Sequence, residues 1–389
     1  MFNHLNAPEK LFVVTTTDNA AFVDDLKKAA GKAGLPVQGA SGVDRWMQDI
    51  MEFGFSQLPG QAAARTVMET PRGRELEGVP KFLVTKDLGY LKPAPVPSTG
   101  SSLNSGGNLE CTPPYTSPNG KRFPFGRVYS CIARTDSPAD RLALGYKEFL
   151  DAQQIQSLIS IDAGWLNVGH VDEIITFIPA KNKRGFKLLL ASPDLGMKIL
   201  KTPAMTGAKI LIGKEYVLGV PAETTVKEFL EHGISWKTKV PDPENPPYVM
   251  SARELKTYNE SCQRKIGGAE RAFRTAMGLS DEDIAYVPAI YVHPVSEPGR
   301  PVRADALTAG MVNMLVLGTE CIAPKPFGPT LAGRDLFEDH YRETLLKEGL
   351  NVSFVDDWET YHLLKGEVHC GTNTLRKADS VTNWWEFEP

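Results

Sequence analysis

The segment at 11–46, LFVVTTTDNAAFVDDLKKAAGKAGLPVQGASGVDRW, carries the pattern that decides the fold. Its first residues, Leu11–Thr16, are an apolar run typical of a strand. Asn19–Lys32 then places apolar residues at helical spacing. Pro36–Gly39 predicts a short second strand, after which a turn leads to Trp46. The segment therefore predicts a strand, a helix and a second strand, followed by a tryptophan.

The same layout recurs twice farther along the chain. The predicted elements are a strand at Arg127–Ile132, a helix at Ser137–Ala152 and a strand at Ser157–Ile161 before Trp165, then a helix at Leu336–Glu348 and a strand at Val352–Val355 before Trp358. Three copies of one layout predict an internally repeated architecture.

Polar residues follow each of these tryptophans inside apolar stretches. The segments are MQDIMEFG after Trp46, LNVGHVDEIITFI after Trp165 and ETYHLLKGEVHCGTN after Trp358, with related segments GGNLE at 106–110 and MVNMLVLG at 311–318. We interpret them as five strands. A ring of five such units would direct their polar residues at a common centre.

Composition narrows the class of protein. Among 389 residues, 42% are hydrophobic, and 43 Lys and Arg stand against 47 Asp and Glu, a net charge of −4. These values are typical of a soluble globular protein and provide no basic surface for nucleic acid or a membrane. The longest apolar run, Ala306–Gly318, is too short to span a bilayer. The start of the sequence lacks the layout of a signal peptide, which predicts a cytoplasmic protein unless a leader was removed.

The five cysteines are scattered and have no CxxC spacing, so neither a disulfide framework nor a cysteine-rich zinc site is expected. Cys370, in GEVHCGTN, is a candidate nucleophile, although most free cysteines are buried filler. His170 and Asp172, in VGHVDE, would share one face of a strand. A histidine beside a carboxylate can act as an acid/base pair or bind a cation.

The segment WMQDIMEFGF, interpreted as a strand, places Asp49 on one face and Gln48 with Glu52 on the other. Oxygen ligands of that kind suit Ca²⁺. The loop TPRGR contributes Arg72 and Arg74, which can bind a carbonyl or carboxylate but are more often solvated. Two carboxylates with one histidine and one thiolate suit the binding of a planar guanidinium and attack on its central carbon.

At this point the sequence resembles a known family. WMQDIMEFGF, TPRGR, GGNLE, VGHVDE, FKLLLASP, MVNMLVLG, PKPFGP and GEVHCGTNTLRK resemble, in that order, segments of the catalytic domain of the peptidyl-arginine deiminases. The resemblance implies the pentein fold, an α/β five-bladed propeller with pseudo-fivefold symmetry. It also implies a single catalytic domain over residues 1–389, without the two immunoglobulin-like domains that precede it in the animal enzymes.

The resemblance assigns roles to the candidate residues. Cys370 matches the nucleophile, Asp49 and Asp172 match the carboxylates that bind the guanidinium, and His170 matches the general acid/base. The substrate-binding residues it implies are Arg74 and Arg72, for the peptide backbone, and Trp46, along the aliphatic stem of the arginine.

The resemblance further implies a first calcium site. Its ligands are Gln48, Glu52 and Glu110, with backbone carbonyls around Gly106 and Leu109. The family's second calcium site is expected to be lost, because Ile50, Glu69, Thr70 and Gly73 replace its acidic and amide ligands. Asn167 stands where the animal enzymes usually have a small hydroxyl residue.

The function implied is hydrolysis of peptidyl-arginine to peptidyl-citrulline and ammonia, with arginine-containing peptides or proteins as substrates. Two alternatives remain open. One is a deiminase of free arginine or another small guanidine, or an amidinotransferase. The other is a module that binds calcium or arginine peptides without catalysis. The complete set of Asp49, His170, Asp172 and Cys370 favours an enzyme.

Overall fold

The structure is a computed structural model that describes residues 1–42, 44–72, 88–92, 101–217, 220–236, 247–295, 301–378 and 383–387. Gly73, Arg74 and most of the predicted loop at 237–247 lie outside these residues.

Five three-stranded sheets of identical topology organise the chain. In each sheet the middle strand pairs antiparallel with the first strand and parallel with the third. The sheets, in the order first, middle and third strand, are Met51–Ser56, Ala64–Glu69 and Gly89–Leu91 (unit 1), Glu110–Cys111, Val128–Ser130 and Ile159–Ser160 (unit 2), Ile175–Pro179, Phe186–Ser192 and Ile284–Pro288 (unit 3), Leu315–Leu317, Glu320–Pro324 and Asn351–Val355 (unit 4), and Thr372–Arg376, Pro8–Thr15 and Val37–Ser41 (unit 5).

Helices connect the middle strand to the parallel third strand, as a parallel crossover requires. They are Ala20–Lys32 in unit 5, Leu144–Ala152 in unit 2, Pro193–Leu200 and Ala252–Met277 in unit 3, and Leu336–Lys347 in unit 4. The corresponding connection of unit 1 includes residues 73–87, which are not described. Five copies of one mixed α/β unit confirm the predicted internal repeat and its number.

Among the described residues, the remaining α-helices and strands are short and lie mostly within or around unit 3. They are the helices Met47–Ile50 and Val226–His232 and the strands Tyr115–Thr116, Arg122–Phe123, Lys209–Ile210, Glu215–Val217, Val220–Pro221, Thr224–Thr225, Ile234–Trp236, Tyr248–Met250, Tyr291–Val292, Asp305–Ala306, Thr330–Leu331 and Arg334–Asp335. Among the residues described, no helix is both long and apolar enough to cross a bilayer.

The core lies between neighbouring sheets. The helix Ala20–Lys32 buries Phe22, Val23 and Leu26 against Leu11 of its own unit and Ile322 of unit 4. This apolar face follows the helical spacing seen in the sequence. All five cysteines are free and buried.

Two sequence predictions of secondary structure are wrong in detail. The helix predicted from Ser137 begins at Leu144, because residues 137–143 form a turn in which Asp140 N–H donates to the carbonyl of Ser137. In the segments around Asp49 and Asp172, the polar residues predicted to lie within strands lie instead in single helical turns just before strands. Met47–Ile50 is a short helix, and Val171–Glu173 is a 3-10 turn.

Hydrogen bonds account for both turns. The Glu173 carboxylate accepts backbone N–H groups of Gly169 and His170, at 3.0 and 2.8 Å, which closes the chain into a turn. The Thr70 backbone N–H and hydroxyl bind carbonyls at the end of Met47–Ile50, where the helix passes into the first strand of unit 1.

Candidate active site

The first strand of each unit is preceded by, or begins with, a residue of one common site. These residues are Asp49 in unit 1, Glu110 in unit 2, His170 and Asp172 in unit 3, Asn313 in unit 4, and His369 and Cys370 in unit 5. The closest pairs between units lie 3.0–3.6 Å apart. The structure therefore brings together the five polar segments that the sequence predicted to share a centre.

Cys370 is held by the side-chain amide of Asn313. Asn313 Nδ2 donates to the Cys370 sulfur at 3.3 Å, and the Cys370 backbone N–H donates to Asn313 Oδ1 at 3.2 Å. The sulfur lies 3.6 Å from Asp172 Oδ2. Burial, reinforced by the charges of Asp172 and Asp49, raises the pKa of the Cys370 thiol well above its ordinary value. The resting group is therefore a thiol.

His170 is oriented by a backbone carbonyl. Its Nε2 lies 2.9 Å from the carbonyl oxygen of Ser102. Since a carbonyl oxygen only accepts, Nε2 carries the hydrogen, and Nδ1 is the atom that gains or loses a proton. Nδ1 is buried without a hydrogen-bond partner among the described residues and lies 3.6 Å from Asp49 Oδ1. This arrangement suits a general acid/base.

Each of the two aspartates has one carboxylate oxygen without a hydrogen-bond partner in the described part of the chain. Asp49 Oδ1 and Asp172 Oδ1 are buried and accept no hydrogen bond from the described residues. Their Oδ2 atoms are engaged, since Asp172 Oδ2 accepts from His369 Nδ1 at 3.0 Å and Asp49 Oδ2 lies 3.4 Å from Arg72 Nη2. Buried carboxylate oxygens require donors. A guanidinium, with five N–H donors in one plane, supplies them.

A cavity of about 280 Å³ opens onto this centre. Trp46 forms part of its wall, and its ring packs on Gly366 so closely that a Cβ there would lie 2.3 Å from Cζ3. Arg72 also lines the cavity and bridges Asp49 and Asp44, at 3.4 and 3.1 Å. Arg74, the other predicted substrate arginine, is outside the described residues.

A second group of buried oxygen atoms lies behind the aspartates. Gln48 Nε2, on the helix Met47–Ile50, donates to Glu52 Oε1, on the following strand, at 2.7 Å. Burial, followed by repulsion from Glu110, raises the pKa of Glu52 well above its ordinary value. Glu110 Oε1 is buried and has no hydrogen-bond partner among the residues that the structure describes. Two buried carboxylates that repel one another fit a cation between them.

The backbone carbonyls predicted for the first calcium site lie in the same place. A Cβ at Gly106 would lie 2.1 Å from the Gln48 carbonyl oxygen and 2.7 Å from Glu52 Oε1. Leu109 is the C-cap of the 3-10 turn Gly106–Asn108 and directly precedes Glu110. Only glycine at position 106 allows this turn to pack against Gln48.

The residues of the expected second calcium site are engaged otherwise. Glu69 accepts a hydrogen bond from the Tyr90 hydroxyl and lies 3.9 Å from Lys92 Nζ. Ile50 is fully buried and apolar. Thr70 donates to backbone carbonyls. Gly73 lies outside the described residues, and the loss of that site stays a prediction.

Four residues of the site had no role in the sequence analysis. They are Ser102, Arg134, Asn313 and His369. Arg134 is 1% exposed and donates to the carbonyls of residues 164 and 166–168, just before His170. Asn313 lies within a segment that was singled out, and His369 stands next to the candidate nucleophile. Neither Ser102, which acts through its carbonyl, nor Arg134 has a recognisable sequence signal.

Comparisons with known proteins identify the family of the chain. The sequence model described as "Protein-arginine deiminase (PAD)" matches residues 1–386. Human protein-arginine deiminases type-3 and type-4 and the rat type-3 protein are each 34% identical, over 98% of this chain and 54% of their own length. The chain thus spans about half the length of these relatives.

Solved structures of lower identity were also found. Agmatine deiminases of C. jejuni and Enterococcus faecalis are each 10% identical with a TM-score of 0.48. Both alignments cover 97% of this chain, with 96% and 95% of the respective deiminase.

Proposed function

Since the chain belongs to the protein-arginine deiminase family, we propose that it hydrolyses peptidyl-arginine to peptidyl-citrulline and ammonia. The observation that carries the proposal is a pair of buried oxygens, Asp49 Oδ1 and Asp172 Oδ1, beside the Cys370 thiol and His170 Nδ1. Neither oxygen accepts a hydrogen bond from the part of the chain that the structure describes. This set can bind a planar cation, attack its carbon and transfer protons.

The first half of the reaction forms a covalent intermediate. The guanidinium offsets the negative field of Asp49 and Asp172, which favours loss of the Cys370 proton to His170 Nδ1. The sulfur then bonds to the guanidinium carbon. One C–N bond breaks, and the departing nitrogen leaves as ammonia after His170 returns the proton to it.

Water completes the reaction. His170 Nδ1 removes a proton from a water molecule, whose oxygen bonds to the same carbon. The C–S bond then breaks, the sulfur regains its proton from His170, and the remaining hydroxyl proton passes to ammonia. Guanidinium and water are consumed, and a ureido group and ammonium are formed. The neutral ureido group no longer matches two carboxylates, which favours its release.

We further propose that Ca²⁺ is held by Gln48, Glu52 and Glu110, with carbonyls around Gly106 and Leu109. Bound Ca²⁺ would neutralise the repulsion between the two buried carboxylates and so stabilise the turn before unit 2. The turn matters to the site, because a Cβ at Gly107 would lie 2.6 Å from His170 Nδ1.

The preference for a peptide over free arginine rests on Arg72 and Arg74. Arg72 lines the cavity, where it can reach a backbone carbonyl of the substrate, but it is also paired with Asp44 and Asp49. Deimination of free arginine or another small guanidine is the second candidate, because the catalytic contacts concern only the guanidinium.

The test is citrulline release from an N-acylated arginine amide and from free arginine, each with Ca²⁺ and with excess chelator. We expect turnover of the amide, and none by Cys370→Ala. Cys262→Ala, at a buried cysteine on the helix Ala252–Met277, serves as the control and should keep full activity. Preference for free arginine would support the second candidate. Absence of turnover on both substrates would favour a binding module.

A further inference from the structure

A buried group of two histidines and one carboxylate lies next to Asp172, whose Oδ2 atom also lies close to the Cys370 sulfur. Its members are His4, Glu110 and His369, and one ligand atom of each lies within 4.8 Å of the others. Their side chains are 10%, 7% and 7% exposed. His4 is brought to the group by the turn that precedes the strand Pro8–Thr15. His4 has no role in the deimination chemistry.

The spacing fits the edges of a small coordination sphere. His4 Nε2 lies 3.2 Å from Glu110 Oε2, and His369 Nε2 lies 3.6 Å from Glu110 Oε1. For a tetrahedral Zn²⁺ with bond lengths of 2.0–2.1 Å, two ligand atoms are about 3.3 Å apart. The two histidine rings meet edge-on, with centroids 5.2 Å apart, and both Nε2 atoms lie next to the Glu110 carboxylate.

The outer contacts orient both histidines. Asp172 Oδ2 accepts a hydrogen bond from His369 Nδ1 at 3.0 Å, which assigns the hydrogen to Nδ1 and leaves Nε2 to face Glu110. A carboxylate that binds the far nitrogen of a histidine is the usual support of a metal ligand. The backbone carbonyl of His4 is in turn held by Arg376 Nη1 at 3.0 Å.

One atom of the group points to a missing ligand. Glu110 Oε1 is buried and has no hydrogen-bond partner among the described residues. Such an oxygen costs free energy unless a proton donor or a cation reaches it.

We propose that His4, Glu110 and His369 form a binding site for a borderline transition-metal ion such as Zn²⁺, with one or more positions left for water. Two imidazoles and one carboxylate favour such an ion over Ca²⁺, which prefers oxygen ligands alone. Glu110 also belongs to the proposed calcium set. The two ions therefore compete for one carboxylate, and the transition metal acts on Asp172 through His369.

The test uses Co²⁺, whose visible absorption reports its ligands, as a probe for Zn²⁺. The titration is made on Cys370→Ala protein, so that the nearby thiol cannot supply a ligand and no turnover is needed. We expect one Co²⁺ per chain, displaced by Zn²⁺, and affinity at least tenfold lower after the additional change His4→Gln. His232→Gln, at an exposed histidine, is the matched control and should bind as the parent does.

Three results of the titration would overturn the proposal. They are no Co²⁺ binding, equal Co²⁺ affinity of His4→Gln and its parent, or equal losses of Co²⁺ affinity in His4→Gln and His232→Gln. If His4→Gln fails to fold, X-ray absorption of the Zn²⁺-loaded Cys370→Ala protein decides. Two imidazoles in the zinc shell support the site, and a shell without imidazole excludes it. If His369 instead donates hydrogen bonds to both Asp172 and Glu110, neither Co²⁺ nor Zn²⁺ will bind, which is the first of these results.

Discussion

The Cys370 sulfur lies 3.6 Å from Asp172 Oδ2 in a buried pocket, so the nucleophile faces a negative charge before substrate arrives. Burial and the charges of Asp172 and Asp49 raise the pKa of the thiol well above its ordinary value. A cation placed between the two aspartates offsets this effect. The substrate is therefore expected to activate its own nucleophile.

Alkylation of Cys370 should accordingly depend on the charge of the reagent. We expect the cationic 2-chloroacetamidine to inactivate the protein at least 100-fold faster than the neutral 2-chloroacetamide at pH 7.5. The neutral reagent should react faster as the pH rises, because the thiolate forms only at high pH. Inactivation rates and mass spectrometry of the labelled peptide are the measurements. Equal rates for both reagents would contradict a resting thiol held neutral by carboxylates.

Asn313 should control the reactivity of the thiolate. In Asn313→Asp the side chain keeps its shape and the acceptor for the Cys370 N–H, but an oxygen replaces the Nδ2 donor 3.3 Å from the sulfur. We expect kcat to fall on the order of 100-fold. Alkylation by the neutral reagent should shift to higher pH, which a purely structural role would not cause. Asn351→Asp, on the surface beside Glu320, is the control and should leave both measurements unchanged.

The repeated units were predictable because apolar periodicity and recurring tryptophans are local signals. The strand interpretation of VGHVDE and WMQDIM failed because side chains, not apolar spacing, close these segments into turns. Glu173 accepts the backbone N–H groups of Gly169 and His170, which closes one of these turns. The sequence alone does not show whether this glutamate makes such a contact or lies on a strand. The correct residues were nevertheless identified, because a turn just before a strand also directs His170 and Asp172 to the common site.

The contacts that tune the site could not be predicted from the sequence. Ser102 orients His170 through a carbonyl, which every residue has, and Arg134 is buried although most arginines are solvated. The strand interpretation would have directed His369 away from Cys370. The turn that ends at Thr372 instead brings both side chains to Asp172.

The effect of Ca²⁺ on the unfolding temperature should depend on Glu52. Burial and the nearby Glu110 raise its pKa, so the folded state loses stability as pH rises above the ordinary glutamate range. Glu52→Gln removes that charge. We expect a higher unfolding temperature than that of the parent at pH 7.5 in chelator, and a smaller or absent increase on addition of Ca²⁺. Differential scanning calorimetry measures both.

The exposed Glu343→Gln is the control for Glu52 and should retain the full calcium-induced increase. A Glu52→Gln protein that responds to Ca²⁺ as the parent does would exclude Glu52 as a ligand.

Gly107 should be intolerant of any side chain. A Cβ at this position would lie 2.6 Å from His170 Nδ1 and 3.0 Å from Asp172 Oδ2, both of which are buried. We therefore expect Gly107→Ala to lower kcat/KM by at least 100-fold while the protein still folds. Gly31→Ala, in a helix with open space around it, should keep activity and raise stability by about 0.5–1 kcal/mol. Normal turnover by Gly107→Ala would mean that the turn is free to move away from the site.

The last prediction concerns a buried carboxyl pair near Cys370. Glu367 Oε1 accepts hydrogen bonds from Gly310 N–H and His362 Nδ1, both at 2.8 Å. Burial lowers the pKa of His362 to about 4, so this histidine is neutral and leaves the charge of Glu367 uncompensated. Burial raises the pKa of Glu367 to about 8, and burial together with Glu367 raises the pKa of Asp357. The pair therefore retains a proton at neutral pH.

That proton makes stability depend on pH. Between the ordinary glutamate pKa of 4.5 and about 8, the folded state holds a proton that the unfolded state has lost. The free energy of unfolding should therefore fall with rising pH, by up to about 1.4 kcal/mol per unit for this group. Glu367→Gln cannot lose that proton. Urea unfolding at a series of pH values should show a flatter dependence for Glu367→Gln than for the parent, whereas the exposed Glu282→Gln should match the parent. Parallel curves for parent and Glu367→Gln would show that Glu367 is already ionised at neutral pH.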